Sequence, residues 1–174
     1  MSETTGTPNP VALAAAEGSV FALTEEMLER GCEAARQSPR RRIIFPIHRR
    51  PEALVQRMLN FMQPDTYVVP HRHPLEHAIE TVQVLRGALG FLIFNEQGKV
   101  VSTHRLSAAE SVSLLDIEPG IWHGMVILAP DTVILEVKRG PYDASTDKEF
   151  ASWAPGEGDE EAPDFAKLWR ALFA

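Results

Sequence analysis

His71 and His73, one residue apart, Glu80 in the next run, and His123 further on are the side chains of this sequence best suited to chemistry. In extended backbone, residues two apart leave the same face, so His71 and His73 present two imidazoles side by side to one ion. Pro70 and Pro74 flank the pair and restrict its backbone to an extended shape. Glu80 shares the parity of Val82 and Val84. A carboxylate facing inward with them is costly to bury alone, and a metal cation relieves that cost. His123 follows Pro119-Gly120-Ile121-Trp122, a tight turn that opens a later strand, from which it can face the histidine pair across the sheet. Three imidazoles and one carboxylate suit one divalent transition metal (Fe, Mn, Ni, Cu or Zn) and are too rich in nitrogen for Ca or Mg. Four protein ligands leave positions open on a five- or six-coordinate ion, as catalysis at a metal requires.

Around this set stand weaker candidates. Glu76 and His77, between the pair and Glu80, compete for the carboxylate role or for proton transfer. Arg57 and Tyr67 are candidates to line the mouth. His48, among arginines, reads as structural or ligand-facing, and His104 as a surface residue. Trp122 reads as packing and Cys32 as core. No catalytic residue is assigned.

The elements that must position these residues change character along the chain. Residues 1–20 are small, polar or alanine-rich and read as a flexible arm. Thr24 can cap a helix to about Ser38, with Glu25 and Glu26 at its positive end and Pro39 stopping it. Met27, Leu28, Cys32 and Ala35 share a face of that helix. Pro51 suits a second helix start, with Leu54, Val55, Met58, Leu59 and Met62 at helical spacing, so 21–64 reads as a helical region packed on the strands after it. From Tyr67 the period becomes strand-like: Tyr67–Val69, Ala78–Leu85, Leu89–Phe94, Val100–Leu106, Val112–Asp116, Gly124–Leu128 and Thr132–Val137, divided by turn signals. Short strands with no helix between them predict an antiparallel sandwich or barrel over 65–142. An acidic tail and a last helix fill 143–174, with Phe165, Leu168, Trp169, Leu172 and Phe173 on a stripe that needs the barrel or a second subunit as cover.

With 174 residues the chain suits one domain. A net charge of −7 argues against a nucleic-acid partner, and no apolar run is long enough for a membrane helix. The single cysteine excludes an internal disulfide and fits a reducing cytoplasm. The arginines from Arg36 to Arg57 (Arg40, Arg41, Arg42, Arg49 and Arg50 among them) oppose an acidic stretch from Asp143 to Asp164. Either both are solvated surfaces, or some of the arginines meet an anionic ligand at the barrel mouth.

The ordered motifs carry a resemblance. His71-x-His73, Glu80 and Gly87 resemble the first cupin motif, and Gly120-x-x-His123 the second. More narrowly the chain resembles the WbuC-type cupin metalloproteins, small bacterial proteins linked to surface-polysaccharide gene clusters. The likeness rests on Ser38-Pro39-Arg40-Arg41-Arg42, Val55-Gln56-Arg57-Met58-Leu59, Tyr67-Val68-Val69-Pro70-His71-Arg72-His73, Val84-Leu85-Arg86-Gly87, Pro119-Gly120-Ile121-Trp122-His123, Gly140-Pro141-Tyr142 and Phe150-Ala151-Ser152-Trp153-Ala154-Pro155, roughly residues 38–156. It implies a mainly β cupin jelly-roll barrel with N-terminal helices and a C-terminal helix, a bound metal and often a homodimer. The gap between His73 and Glu80 is longer than the family's usual one, which keeps Glu76 open beside Glu80.

The expected function is a cupin-fold metal-binding protein acting on or binding a small polar or anionic metabolite. Bacterial surface-polysaccharide (O-antigen) biosynthesis is the setting, and an isomerase or oxygenase type of reaction the leaning. The alternatives are a metal-dependent sensor without turnover and a metal-free epimerase-like cupin that moves protons with His and a carboxylate.

Overall fold

A computed structural model describes residues 10–174; the first nine residues of the expected arm lie outside the described residues. Helix α1 spans Glu25–Gln37, and the Thr24 hydroxyl accepts from the Met27 N–H at 3.3 Å, as the cap sequence predicts. Its buried Cys32 and Ala35, with Met27 and Leu28 beside them, form the expected face.

Ten strands follow: β1 (Arg42–Pro46), β2 (Val55–Met62), β3 (His71–Arg72), β4 (Glu80–Arg86), β5 (Ala88–Phe94), β6 (Val100–Ser107), β7 (Leu114–Ile117), β8 (Trp122–Ile127), β9 (Thr132–Arg139) and β10 (Glu149–Phe150). They form two five-stranded antiparallel sheets, ordered β1-β2-β9-β4-β7 and β10-β3-β8-β5-β6. The sheets face each other as an open jelly roll. Between them Val82, Val84 and Ile134 of the first sheet meet Leu89, Phe91, Met125 and Ile127 of the second.

The second helix expected from Pro51 is instead strand β2. Its apolar positions mimic helical spacing because both faces of the strand are covered, which erases the period-2 contrast. Gln56, Met58, Asn60 and Met62 line the interior, while Leu59 and Phe61 pack outward under α1 with Ile43, Phe45 and Val133. Tyr67–Val69, read as a strand, is irregular but buried or nearly so. Of the expected arm, residues 11–16 run along β1, with an Ala12–Ile44 bridge and Ala16 N–H donating to Pro46 at 2.9 Å.

The layers are therefore α1, first sheet, interior, second sheet, and a closing helix, α2 (Ala162–Arg170), extended by a 3-10 turn over Ala171–Phe173. The C-terminal stripe finds its cover within the chain: Trp169, Phe165 and Phe173 pack on Leu92, Phe94 and Val126, whereas Leu168 and Leu172 stay exposed. No helix among the described residues is long and apolar enough to cross a membrane.

Candidate metal centre

Antiparallel pairing sets His71 of β3 directly opposite His123 of β8. His73 follows β3 immediately, and its carbonyl accepts from the Gly120 N–H at 2.8 Å, which ties the second turn to the first histidine pair. Gly120 sits at φ +79, a left-handed conformation that favours glycine. Glu80 opens β4 in the facing sheet, and Val82 and Val84 share its inward parity and its burial. The chain crosses from β4 to β5 of the other sheet through Gly87 at φ +76. All four side chains are buried, and one ligand atom from each lies within 4.8 Å of the others.

The imidazoles are oriented from behind. Each Nδ1 lies at hydrogen-bonding distance from a backbone carbonyl: His71 to Val69 at 2.9 Å, His73 to Asp147 at 2.5 Å, His123 to Ile121 at 2.9 Å. A carbonyl only accepts, so Nδ1 carries the proton and the Nε2 lone pair is left free, the arrangement a metal-bound histidine adopts. Those atoms converge on Glu80, whose Oε2 is 3.0 Å from His73 Nε2 and 3.4 Å from His123 Nε2. A neutral Nε2 lone pair has nothing to donate to a carboxylate. His123 Nε2 is a buried atom left without a hydrogen-bond partner. Ligands held about 2.1 Å from one ion are separated by about 3.0–3.4 Å, so these spacings match edges of a coordination polyhedron. The donor set thus fits a divalent transition metal. Phe91 stacks on the His123 ring at 5.5 Å and walls the centre with hydrocarbon.

Burial, helped by the charge of Lys148, pushes His71 well below its ordinary value and keeps it a neutral donor.

The centre forms one end of a cavity of about 470 Å³. Met58, Met62, Met125 and Ile134 supply apolar wall, and Asn60, Glu136 and Lys138 supply polar groups. Asn60 Nδ2 donates to Glu136 Oε2 at 3.0 Å, and Lys138 Nζ to Asp147 Oδ1 at 2.6 Å. At the mouth, Arg40 and Arg42 both clasp Glu157, at 2.7 and 2.8 Å. The basic and acidic segments of the sequence therefore meet each other there. Arg41 instead pairs with Asp65, and Arg49 and Arg50 are exposed.

The weaker candidates fall elsewhere. Glu76 and His77 are exposed in the loop between His73 and Glu80, outside the converging group. Arg57 is exposed on the face of β2 turned from the cavity. Tyr67 is buried but stacks on Trp169 and donates its hydroxyl to Pro155 at 2.8 Å. His48 lines the cavity, and His104 is exposed. Trp122 packs in the cluster beneath α2 and donates to Glu96. Reading residues 51–62 as a helix hid Asn60. Glu136 and Lys138 were legible in principle, because in Thr132–Arg139 they share the parity of buried Ile134.

No curated protein matches the sequence. A family model described as a domain of unknown function, DUF6016, matches residues 23–106. Among solved structures, CapF in complex with the inhibitor 3-isopropenyl-tropolone is 17% identical with a TM-score of 0.55, over 66% of this chain and 32% of that one. The capsular polysaccharide assembling protein CapF from Staphylococcus aureus is 17% identical with a TM-score of 0.53, over 62% and 29%. The match thus takes in about a third of CapF's length. At this identity the likeness shows the fold, and with the two five-stranded sheets it makes the chain a cupin-type jelly roll.

Proposed function

We propose that His71, His73, Glu80 and His123 hold one divalent transition metal ion, and that a small polar or anionic metabolite reaches it through the cavity. The observation that carries this reading is the set of three Nδ1–carbonyl bonds, which turn three Nε2 atoms toward one carboxylate and leave His123 Nε2 without a partner. When bound, the ion supplies Lewis acidity at positions the protein leaves open. The chain's own residues fix the donors, exclude bulk water with Phe91 and the methionine wall, and bring Lys148 to the cavity beside His71, where it favours an anion.

Turnover of an isomerase or oxygenase type is the preferred form of the proposal, because open positions beside a walled cavity suit chemistry better than storage of an ion. A place in surface-polysaccharide biosynthesis draws support from the WbuC-type motifs and from the polysaccharide-assembling role in the name of CapF. The single buried cysteine suits a cytoplasmic setting. The reading includes a homodimer, supported by apolar side chains exposed on and beside the edge strands β6 and β7, namely Val101, Val112 and Leu114. Light scattering giving a monomer mass at tens of micromolar would remove that part alone.

Elemental analysis of protein purified without a nickel column tests the core of the proposal. Close to one Fe, Mn, Ni, Cu or Zn per chain is expected. Absence of metal, with no uptake on reconstitution, would leave the metal-free acid–base reading in its place.

A further inference from the structure

Asn60 and Glu136 form a polar feature of the cavity distinct from the metal centre. Both are buried, on adjacent strands β2 and β9, in a wall otherwise made by Met58, Met62, Met125 and Ile134. The register places Glu136 opposite Val82 and Lys138 opposite Glu80, so Glu136 is one strand over from the metal group. A buried carboxylate among methionines costs several kcal/mol unless its lone pairs are satisfied. Asn60 Nδ2 supplies one bond. Lys138, the nearest cation along β9, places one of its three N–H donors on Asp147 at 2.6 Å and makes no hydrogen bond to Glu136. One N–H of Asn60 Nδ2 is committed to Glu136, the second remains a donor, and the carbonyl oxygen of the amide is an acceptor. The pair therefore presents acceptors to a space large enough for a monosaccharide-sized molecule.

Acceptors call for donors on the ligand. An ammonium group would provide them, but Lys138, Lys148 and the ion would all repel it. Hydroxyls provide donors without charge. We infer that the Asn60–Glu136 pair is a hydroxyl-reading subsite, and that the ligand is a polyhydroxylated carboxylate of about monosaccharide size, with its anionic end toward the ion and Lys148. The inference rests on the metal reading for the anionic end and on Asn60 and Glu136 for the hydroxyls. Selectivity follows from an asymmetry: a ligand lacking the hydroxyls leaves buried acceptors desolvated and unpaired, which is penalised more heavily than the bond itself is rewarded.

Calorimetric titration of the metal-loaded full chain with D-gluconate and with hexanoate tests this. The two share a six-carbon chain and a carboxylate and differ in hydroxyls. Metal content is measured in every sample before and after titration. Gluconate should bind at least tenfold more tightly than hexanoate. In Glu136→Gln the side-chain carbonyl can still accept from Asn60, while the NH2 turns a donor toward the cavity. That variant should lose at least tenfold affinity for gluconate and stay within twofold for hexanoate, and Asn60→Ala should lose gluconate selectively as well. With metal retained, equal affinities, no gluconate binding, or equal loss of both ligands in E136Q would overturn the subsite. A wild-type chain that takes up no metal would instead overturn the reading beneath it.

Discussion

The two ends of the cavity hold their charged groups by opposite means. At the inner end every imidazole is pinned through Nδ1 to a backbone carbonyl, and the four side chains are buried. At the mouth Glu157 is held only by the side chains of Arg40 and Arg42, with about a third of the Arg40 and Glu157 side chains exposed. Two of the inner-end carbonyls, Val69 and Ile121, lie just before strands β3 and β8 and are held by the backbone that enters them, while the third, Asp147, lies in the loop before β10. Side-chain ion pairs facing water contribute about 0–1 kcal/mol and exchange readily. A fixed inner end and an exchangeable mouth suit a site that must keep an ion in place while ligands come and go. One strap joins the two ends: the Asp147 carbonyl orients His73, and ten residues later Glu157 closes the mouth.

The largest expected effect breaks the inner end. His71→Ala and His123→Ala should each weaken metal binding by at least about 100-fold, since losing an orienting partner alone costs 10–100-fold. Circular dichroism should still report the folded jelly roll, because the apolar interior of Val82, Leu89, Phe91, Ile127 and Ile134 builds it without the ion. Unfolding of both variants would show that the site, and not this core, holds the sheets together.

A second effect reads the burial of the inner end through pH. Burial holds His71 below its ordinary value near 6.5, so the unfolded chain binds a proton that the folded chain refuses. Stability is thus fully present above about pH 6.5 and is lost as pH falls toward the folded value. Chelator-treated protein should therefore melt at a lower temperature at pH 5 than at pH 7, and His71→Asn should flatten that dependence. An unchanged slope in the variant would remove His71 as the cause.

The smallest effect belongs to the mouth. Glu157→Gln should cost no more than about 1 kcal/mol and leave metal affinity within threefold. A large loss of metal in E157Q would show that the strap transmits to His73, and the contrast between the two ends would fail.

The same contrast explains what the sequence made legible. The convergence of His71, His73, Glu80 and His123 could be read because the histidines sit in short extended runs whose parity and flanking prolines or glycines are local features, as at Pro70-His71-Arg72-His73 and Pro119-Gly120-Ile121-Trp122-His123. The cap at Thr24 was equally local. The cavity wall was not. Met58, Leu59 and Met62 keep helical spacing only because β2 is buried between α1 and the interior, a tertiary fact that no window of residues reports. Charge was legible as two opposed segments, but only the fold shows that Arg40 and Arg42 are already answered by Glu157. Arg57, adjacent in sequence to inward residues, faces away because neighbours on a strand alternate, whereas Tyr67 lies in irregular backbone and turns onto Trp169.

The central claim is that His71, His73, Glu80 and His123 ligate one ion, and anomalous diffraction at the metal edge tests it most directly. A single strong peak is expected within about 2.0–2.2 Å of three Nε2 atoms and a Glu80 carboxylate oxygen. A peak coordinated by Glu76 with Glu80 turned away, or no peak among these residues in protein shown to carry metal, would contradict the account.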